Sequence, residues 1–230
     1  MRYLWIVPLS LALAALLAVA TGHLVIPDRY NPWAPPRPAD RPNFLTGFKL
    51  GRLADDPAQC HAFLGSAGIR FTPVADRVNA TGCHFRNAVQ IAGSGIAYGS
   101  AFTLSCRMAA GLALFERHVL QPAAQASLGQ PVTQIEHFGS YACRNVYNRD
   151  AGRLSQHATA NAFDIAGFRL RDGRRITVAG DWNEEGVNGD FMRQVHDGAC
   201  RIFSTVLGPD YNPAHRDHFH FDMGGFSICR

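Results

Sequence analysis

From Tyr3 to Ile26 the chain has 24 consecutive positions without an acidic residue, lysine or arginine, punctuated only by Pro8, Gly22 and His23. This run is longer than the roughly 7–15 apolar residues of a signal sequence and reaches the roughly 20 that cross a bilayer. Arg2 precedes it, and the small residues Ala18 and Ala20 also form a cleavage pattern before Thr21. Two readings of residues 1–26 therefore stay open, an uncleaved transmembrane anchor and a removed signal sequence. Both put the rest of the chain outside the cytoplasm.

The pattern then changes abruptly. Pro27–Pro42 holds six prolines in sixteen positions. Proline removes a backbone donor and fixes φ, so residues 27–43 predict an extended polyproline spacer rather than helix or sheet. Residues 44–230 follow as one domain with no internal repeat and no second linker.

Within that domain Asp56-Pro57 is an N-cap followed by a first-turn proline, opening a short helix through Leu64 that Gly65 ends. Apolar Met108, Leu112, Phe115 and Val119 fall on one face of a helix over Ser105–Leu120. A third helix starts at Asp190, carries Phe191, Val195, Ile202 and Val206, and stops at Gly208-Pro209. Strands are predicted over Val132–His137, Ala162–Leu170, Ile176–Ala179 and His218–Met223, with Asp172-Gly173 as a hairpin turn. The fold class is α+β: a small, mostly antiparallel sheet flanked by helices.

Composition narrows the classes. Of 230 residues 47% are hydrophobic and 17% charged, so a real core is available and disorder is not the theme. The net charge of +4 comes from scattered arginines, with Lys49 the one lysine, which gives no nucleic-acid surface. Six cysteines, none in a CxxC pair, predict three disulfides in an oxidising compartment. Sequence order suggests Cys60–Cys83, Cys106–Cys143 and Cys200–Cys229.

The histidines carry the candidate chemistry. His215, His218 and His220 lie within six residues, and on a strand His218 and His220 share a face. His157 sits among small residues, and Asp164 lies inside a hydrophobic strand, where a carboxylate needs a partner. His157, Asp164 and a later histidine supply two nitrogens and one oxygen, the donor set of a catalytic zinc with an open position. Trp182, Asn183, Glu184 and Glu185 read as an exposed acidic loop.

Ser155-x-His157-x-x-Ala160-x-Ala162-x-Asp164 with the later His218-x-His220 resembles the zinc peptidases that include D-alanyl-D-alanine carboxypeptidases, lysostaphin-type endopeptidases and the hedgehog domain. Ala160 stands where that motif has glycine, and no ExxH glutamate is present. Gly139–Arg144 with Asn148 is similar to the segment whose arginine faces substrate in those enzymes. The stretch from Ser140 to Arg230, with its cysteines, more closely resembles the bacterial extensin-like C-terminal domain family.

The resemblance implies one zinc ion held by His157, Asp164 and His220, in a cleft of the α+β domain. His218 is then the general base or electrostatic helper, with His215 and Arg144 contacting the intermediate or a peptide carboxylate. Ser155 supports the His157 loop, and Asp222 is a partner for a ligand imidazole. The function implied is hydrolysis of peptidoglycan stem peptides, as a D,D-endopeptidase or D,D-carboxypeptidase on the periplasmic side, held at the inner membrane by residues 3–26. The alternative is a zinc-containing cell-wall or protein-binding module without turnover; a periplasmic metal carrier and a metal-free spacer are further rivals.

Overall fold

The computed structural model describes residues 5–230; Arg2 and Tyr3, at the head of the apolar run, lie outside the described residues. The chain divides into two units, the first ending at Pro35 and the second spanning Pro36–Arg230. In the first unit the apolar run forms α1 (Ile6–Ala20), a 15-residue helix with no buried residue. At 1.5 Å per residue it is about 22 Å long. Among the described residues no helix is long and apolar enough to cross a membrane.

The proline stretch is not a continuous extended spacer. The Ala34 amide donates to the Asn31 carbonyl and the Asp40 amide to that of Arg37, closing turns whose second residues are Pro32 and Pro38. Proline's fixed φ suits that position, so alternation with Asn and Arg makes turns where an unbroken run would extend. Within the second unit, Pro38 accepts at its carbonyl from His118 Nε2 at 2.8 Å.

The second unit runs α2 (Thr46–Leu53), α3 (Pro57–Ser66), β1 (Arg70–Val74), β2 (Arg77–Val78), β3 (His84–Phe85), β4 (Ala88–Gly93) and β5 (Phe102–Ser105). It continues with α4 (Cys106–Phe115), a π-helical turn Glu116–Leu120, α5 (Gln121–Leu128), β6 (Val132–Gly139), β7 (Ala162–Leu170) and β8 (Arg175–Thr177). The last elements are α6 (Val178–Asp181), α7 (Val187–Ala199), β9 (Thr205–Leu207), β10 (Phe219–Asp222) and β11 (Ile228–Cys229). The class is α+β. A six-stranded sheet has the order β11-β9-β10-β7-β6 with β8 paired to β7, and a three-stranded sheet the order β1-β4-β5. Pairing is antiparallel except for β11 with β9.

The helix α4 is not amphipathic in place: every residue but Arg107 is buried. Ser105 caps its start by accepting from the Met108 amide. Phe115 meets Phe221 edge to face across a 5.2 Å centroid distance, so the helix packs on the large sheet. Gly111 permits this, because a Cβ there would stand 2.3 Å from Met223 Cε.

Asp56 accepts from the Gln59 amide at the start of α3 as the sequence predicts, and the Asp172-Gly173 turn joins β7 to β8. Three expectations fail. The predicted helix from Asp190 to Gly208 ends at Ala199, because Thr205–Leu207 pair with β10 and β11. Val178 begins a short helix, with Thr177 Oγ1 accepting from the Gly180 amide, so the predicted strand over Ile176–Ala179 is cut short. Trp182 is buried, donates Nε1–H to Asp210 at 3.0 Å and packs edge to face on His196 and Phe219; it belongs to the core.

Three disulfides are present: Cys60–Cys106, Cys83–Cys143 and Cys200–Cys229. Only the last follows sequence order. Packing of α3 against α4 sets Cys60 opposite Cys106, and the β2–β3 hairpin carries Cys83 to the segment after β6.

Candidate functional site

The register of β10 on β7 sets His220 directly opposite Asp164. Antiparallel partners share a face, so these polar side chains meet on one face while Phe163, Ile165, Phe219 and Phe221 turn into the core, each fully buried. Asp222 follows His220 by two residues and lies on the same face. The third member arrives from a loop. Gln156–Thr159 form a 3-10 turn whose cap is Ser155, accepting from the His157 amide. Ala160 closes that turn in the left-handed region, φ 53°.

His157 Nε2 stands 3.1 Å from Asp164 Oδ2 and 3.2 Å from His220 Nδ1, and His220 Nδ1 is 2.9 Å from Asp164 Oδ1. All three residues are buried, and their donor atoms lie within 4.8 Å of one another. The far side of each imidazole is fixed: His157 Nδ1 meets the Ser140 carbonyl, and His220 Nε2 meets Asp222 Oδ2 at 3.1 Å. A carbonyl and a carboxylate only accept, so both far nitrogens donate. In the neutral tautomers the two near nitrogens then face each other and the carboxylate with lone pairs alone. Such a cluster requires a cation, a proton or a metal.

The titration of the group follows from this. Burial disfavours ionisation of Asp164, yet hydrogen bonds and charge from His157 and His220 outweigh it and hold the carboxyl well below its usual range. Burial also disfavours a charged His220, but the hydrogen bonds to Asp164 and Asp222 win and raise it to about 9. His215 is pushed down to about 4, by burial first and then by the positive charge of His220 and His218.

The cluster fits a divalent metal by its chemistry. For bonds of about 2.0–2.1 Å a tetrahedral site spaces its donors by about 3.3–3.4 Å, close to the 2.9–3.2 Å separations here. Ligand histidines with their other nitrogen on a carbonyl or carboxylate are the usual outer arrangement of such a site. His196, Cys200 and Cys229 also lie close together, but both cysteines are spent in a disulfide.

The cluster opens into a cleft of about 820 Å³ whose lining includes Arg144, His215 and His218 together with His157, Asp164 and His220. Every site residue expected from the sequence is thus brought to one cleft. His218 Nδ1 lies 2.9 Å from Asp217 Oδ1, which leaves Nε2 facing the cluster, 3.8 Å from Asp164 Oδ1. His215 Nδ1 meets Asn212 Oδ1 at 2.8 Å; the same oxygen accepts from the Ala214 amide, so His215 donates at Nδ1.

Sequence reasoning missed Asp217, Asn212 and the Ser140 carbonyl. Asn212-Pro213 is a cap signal, and Asp217 adjoins His218, so two of these were within reach. It also missed Arg107, which burial makes less basic while the charge of Asp222 acts in the opposite sense. No curated protein and no solved structure matches the chain. The model of the Extensin-like protein C-terminus family matches residues 58–230, which is most of the second unit, and the chain belongs to that family.

Proposed function

We propose that the chain is a zinc-dependent hydrolase of peptide bonds in peptidoglycan stem peptides, a D,D-endopeptidase or D,D-carboxypeptidase, related to the zinc peptidases its motif resembles. The observation that carries this reading is the convergence of His157 Nε2, the Asp164 carboxylate and His220 Nδ1 at the wall of an open cleft, with both far nitrogens already occupied. These three residues would hold the metal, which when bound supplies Lewis acidity toward a carbonyl and toward water.

The remaining steps belong to the chain's own groups. Asp217 keeps the proton on His218 Nδ1, so Nε2 is the proton acceptor turned toward the cluster. His218 takes a proton from the attacking water at Nε2 and delivers it to the leaving amine. His215, neutral with its pKa near 4 and its proton held on Nδ1 by Asn212, accepts at Nε2 from a substrate amide N–H rather than adding charge. Arg144 binds the scissile carbonyl oxygen or a peptide carboxylate. Three disulfides support an oxidising, extracytoplasmic location, and the uncharged, exposed α1 supports attachment of residues 3–26 to the inner membrane.

The test is metal content and muropeptide cleavage by the full chain beside His220→Ala. One zinc per chain and product peaks that disappear in the variant support the reading, and product masses name the bond. Zinc without cleavage by either protein assigns the binding module instead. Absence of zinc removes the metal site.

A further inference from the structure

The segment after Cys143 folds back on itself. The Val146 amide donates to the Arg153 carbonyl at 2.9 Å and the Ser155 amide to the Arg144 carbonyl at 3.0 Å, with Asn145 bridged to Leu154 between them. Side chains on such a ladder alternate, so Arg144, Val146, Arg153 and Ser155 share one face. All four line the cleft. The tip is held by Tyr147 and Asn148, both left-handed at φ 55°. Each non-glycine residue in that region costs about 1–2 kcal/mol. Asn212 Nδ2 donates to the Tyr147 hydroxyl at 3.2 Å and fixes the tip against the opposite wall.

Two guanidinium groups therefore line one cleft from one ladder. Arg144 lies near enough for its charge to act on His215. Arg153 stands elsewhere, its Cζ 5.1 Å over the exposed Phe226 ring. Stacking uses the face of a guanidinium and leaves its N–H edge available for a planar anion. The cleft offers no internal anion to take it: its only lining carboxylates, Asp164 and Asp222, are bound by histidines. Among the described residues neither arginine has a carboxylate partner.

We infer that Arg153 is a second anion-binding residue of the cleft, selecting peptides that carry a free carboxylate in addition to the group met by Arg144. This rests on the reading of the cleft as a peptide site and narrows the substrate to acidic peptides. In stem peptides the carboxylate of a diaminopimelate side arm has this chemistry.

The experiment uses the full chain in detergent with chelator present, so that binding is read without turnover. The probes are L-Ala-γ-D-Glu-meso-diaminopimelyl-D-Ala-D-Ala and its counterpart amidated on the diaminopimelate side arm, titrated calorimetrically. Wild type is expected to prefer the acidic peptide by about tenfold or more. Arg153→Ala should abolish the preference with little effect on the amidated peptide, and Arg153→Lys should keep part of it. Arg153 is exposed, so neither change threatens the fold. Wild type showing no preference, or binding neither peptide, overturns the inference, as does Arg153→Ala retaining the preference. Selective binding without cleavage by the zinc-loaded protein removes the peptidase reading and leaves this one intact; equal cleavage of both peptides does the reverse.

Discussion

His157 Nε2 and His220 Nδ1 face each other across 3.2 Å, and each ring is turned that way by an acceptor behind it, the Ser140 carbonyl for one and Asp222 for the other. The residues come from a loop and a strand 63 positions apart. Any ligand that supplies the missing positive charge binds the folded chain and not the unfolded one. Zinc at a hundredfold excess over its dissociation constant should stabilise by about 2.7 kcal/mol. For a domain of this size that raises the melting temperature by about 5–10 °C. Calorimetry with and without chelator reads it, and an unchanged melting temperature would count against the site.

Asp222 accepts from both His220 Nε2 and the Gly224 amide, at 3.1 and 2.7 Å. Replacing it with asparagine keeps the shape but removes the charge that makes His220 a strong donor. Asp222→Asn should weaken zinc binding about 10- to 100-fold without abolishing it. Competition against a chelating dye measures this, with His220→Ala as the reference for complete loss.

Glu116 lies in the π-helical turn, buried, accepting from the hydroxyls of Ser94 and Tyr98. Burial raises its pKa from 4.5 to about 7, against the hydrogen bond from Ser94. Folded, the group keeps its proton to about pH 7; unfolded, it releases it near 4.5. Its contribution is therefore complete below pH 4.5 and is lost as pH rises through 7, by about 3 kcal/mol in all. Glu116→Gln stays neutral, so its stability relative to wild type should rise between pH 5 and pH 8. Urea unfolding at the two values tests this, and an unchanged difference would refute it.

Ala160 is buried at φ 53°, packed with Phe85 and Ala88. Glycine there relieves about 1 kcal/mol of left-handed strain but loses a buried methyl worth about 0.8 kcal/mol. Ala160→Gly should therefore leave stability within about 0.5 kcal/mol of wild type, the difference between those terms. Ala160→Val adds β-branching in the same conformation and should cost more than about 2 kcal/mol. Denaturation of the pair against wild type decides whether the alanine in place of the motif's glycine is tolerated for this reason.

Local signals were readable where one segment decides its own conformation. Asp56-Pro57 caps α3, Asp172-Gly173 turns β7 into β8, and the mostly apolar run Ala162–Leu170 gives β7 with those bounds. The donor set was legible because His157, Asp164, His218 and His220 sit at spacings that a turn and two strands translate into one face. Where partners compete, the sequence was silent. Ile202 to Leu207 suits a helix as well as a strand, and only β10 and β11 on either side make Thr205–Leu207 the strand β9.

The chain by itself determined the α+β class, the cysteine-stapled character and the residue types of the cluster, because periodicity, caps and donor chemistry are local properties. The tertiary structure alone decided the Cys60–Cys106 and Cys83–Cys143 pairings, the tautomers of His157 and His220, and the meeting of Arg153 with Phe226 in the cleft. Each depends on which atoms stand within a few ångströms across long sequence gaps. That distance is fixed by helix-on-helix packing and strand register, which no single segment encodes.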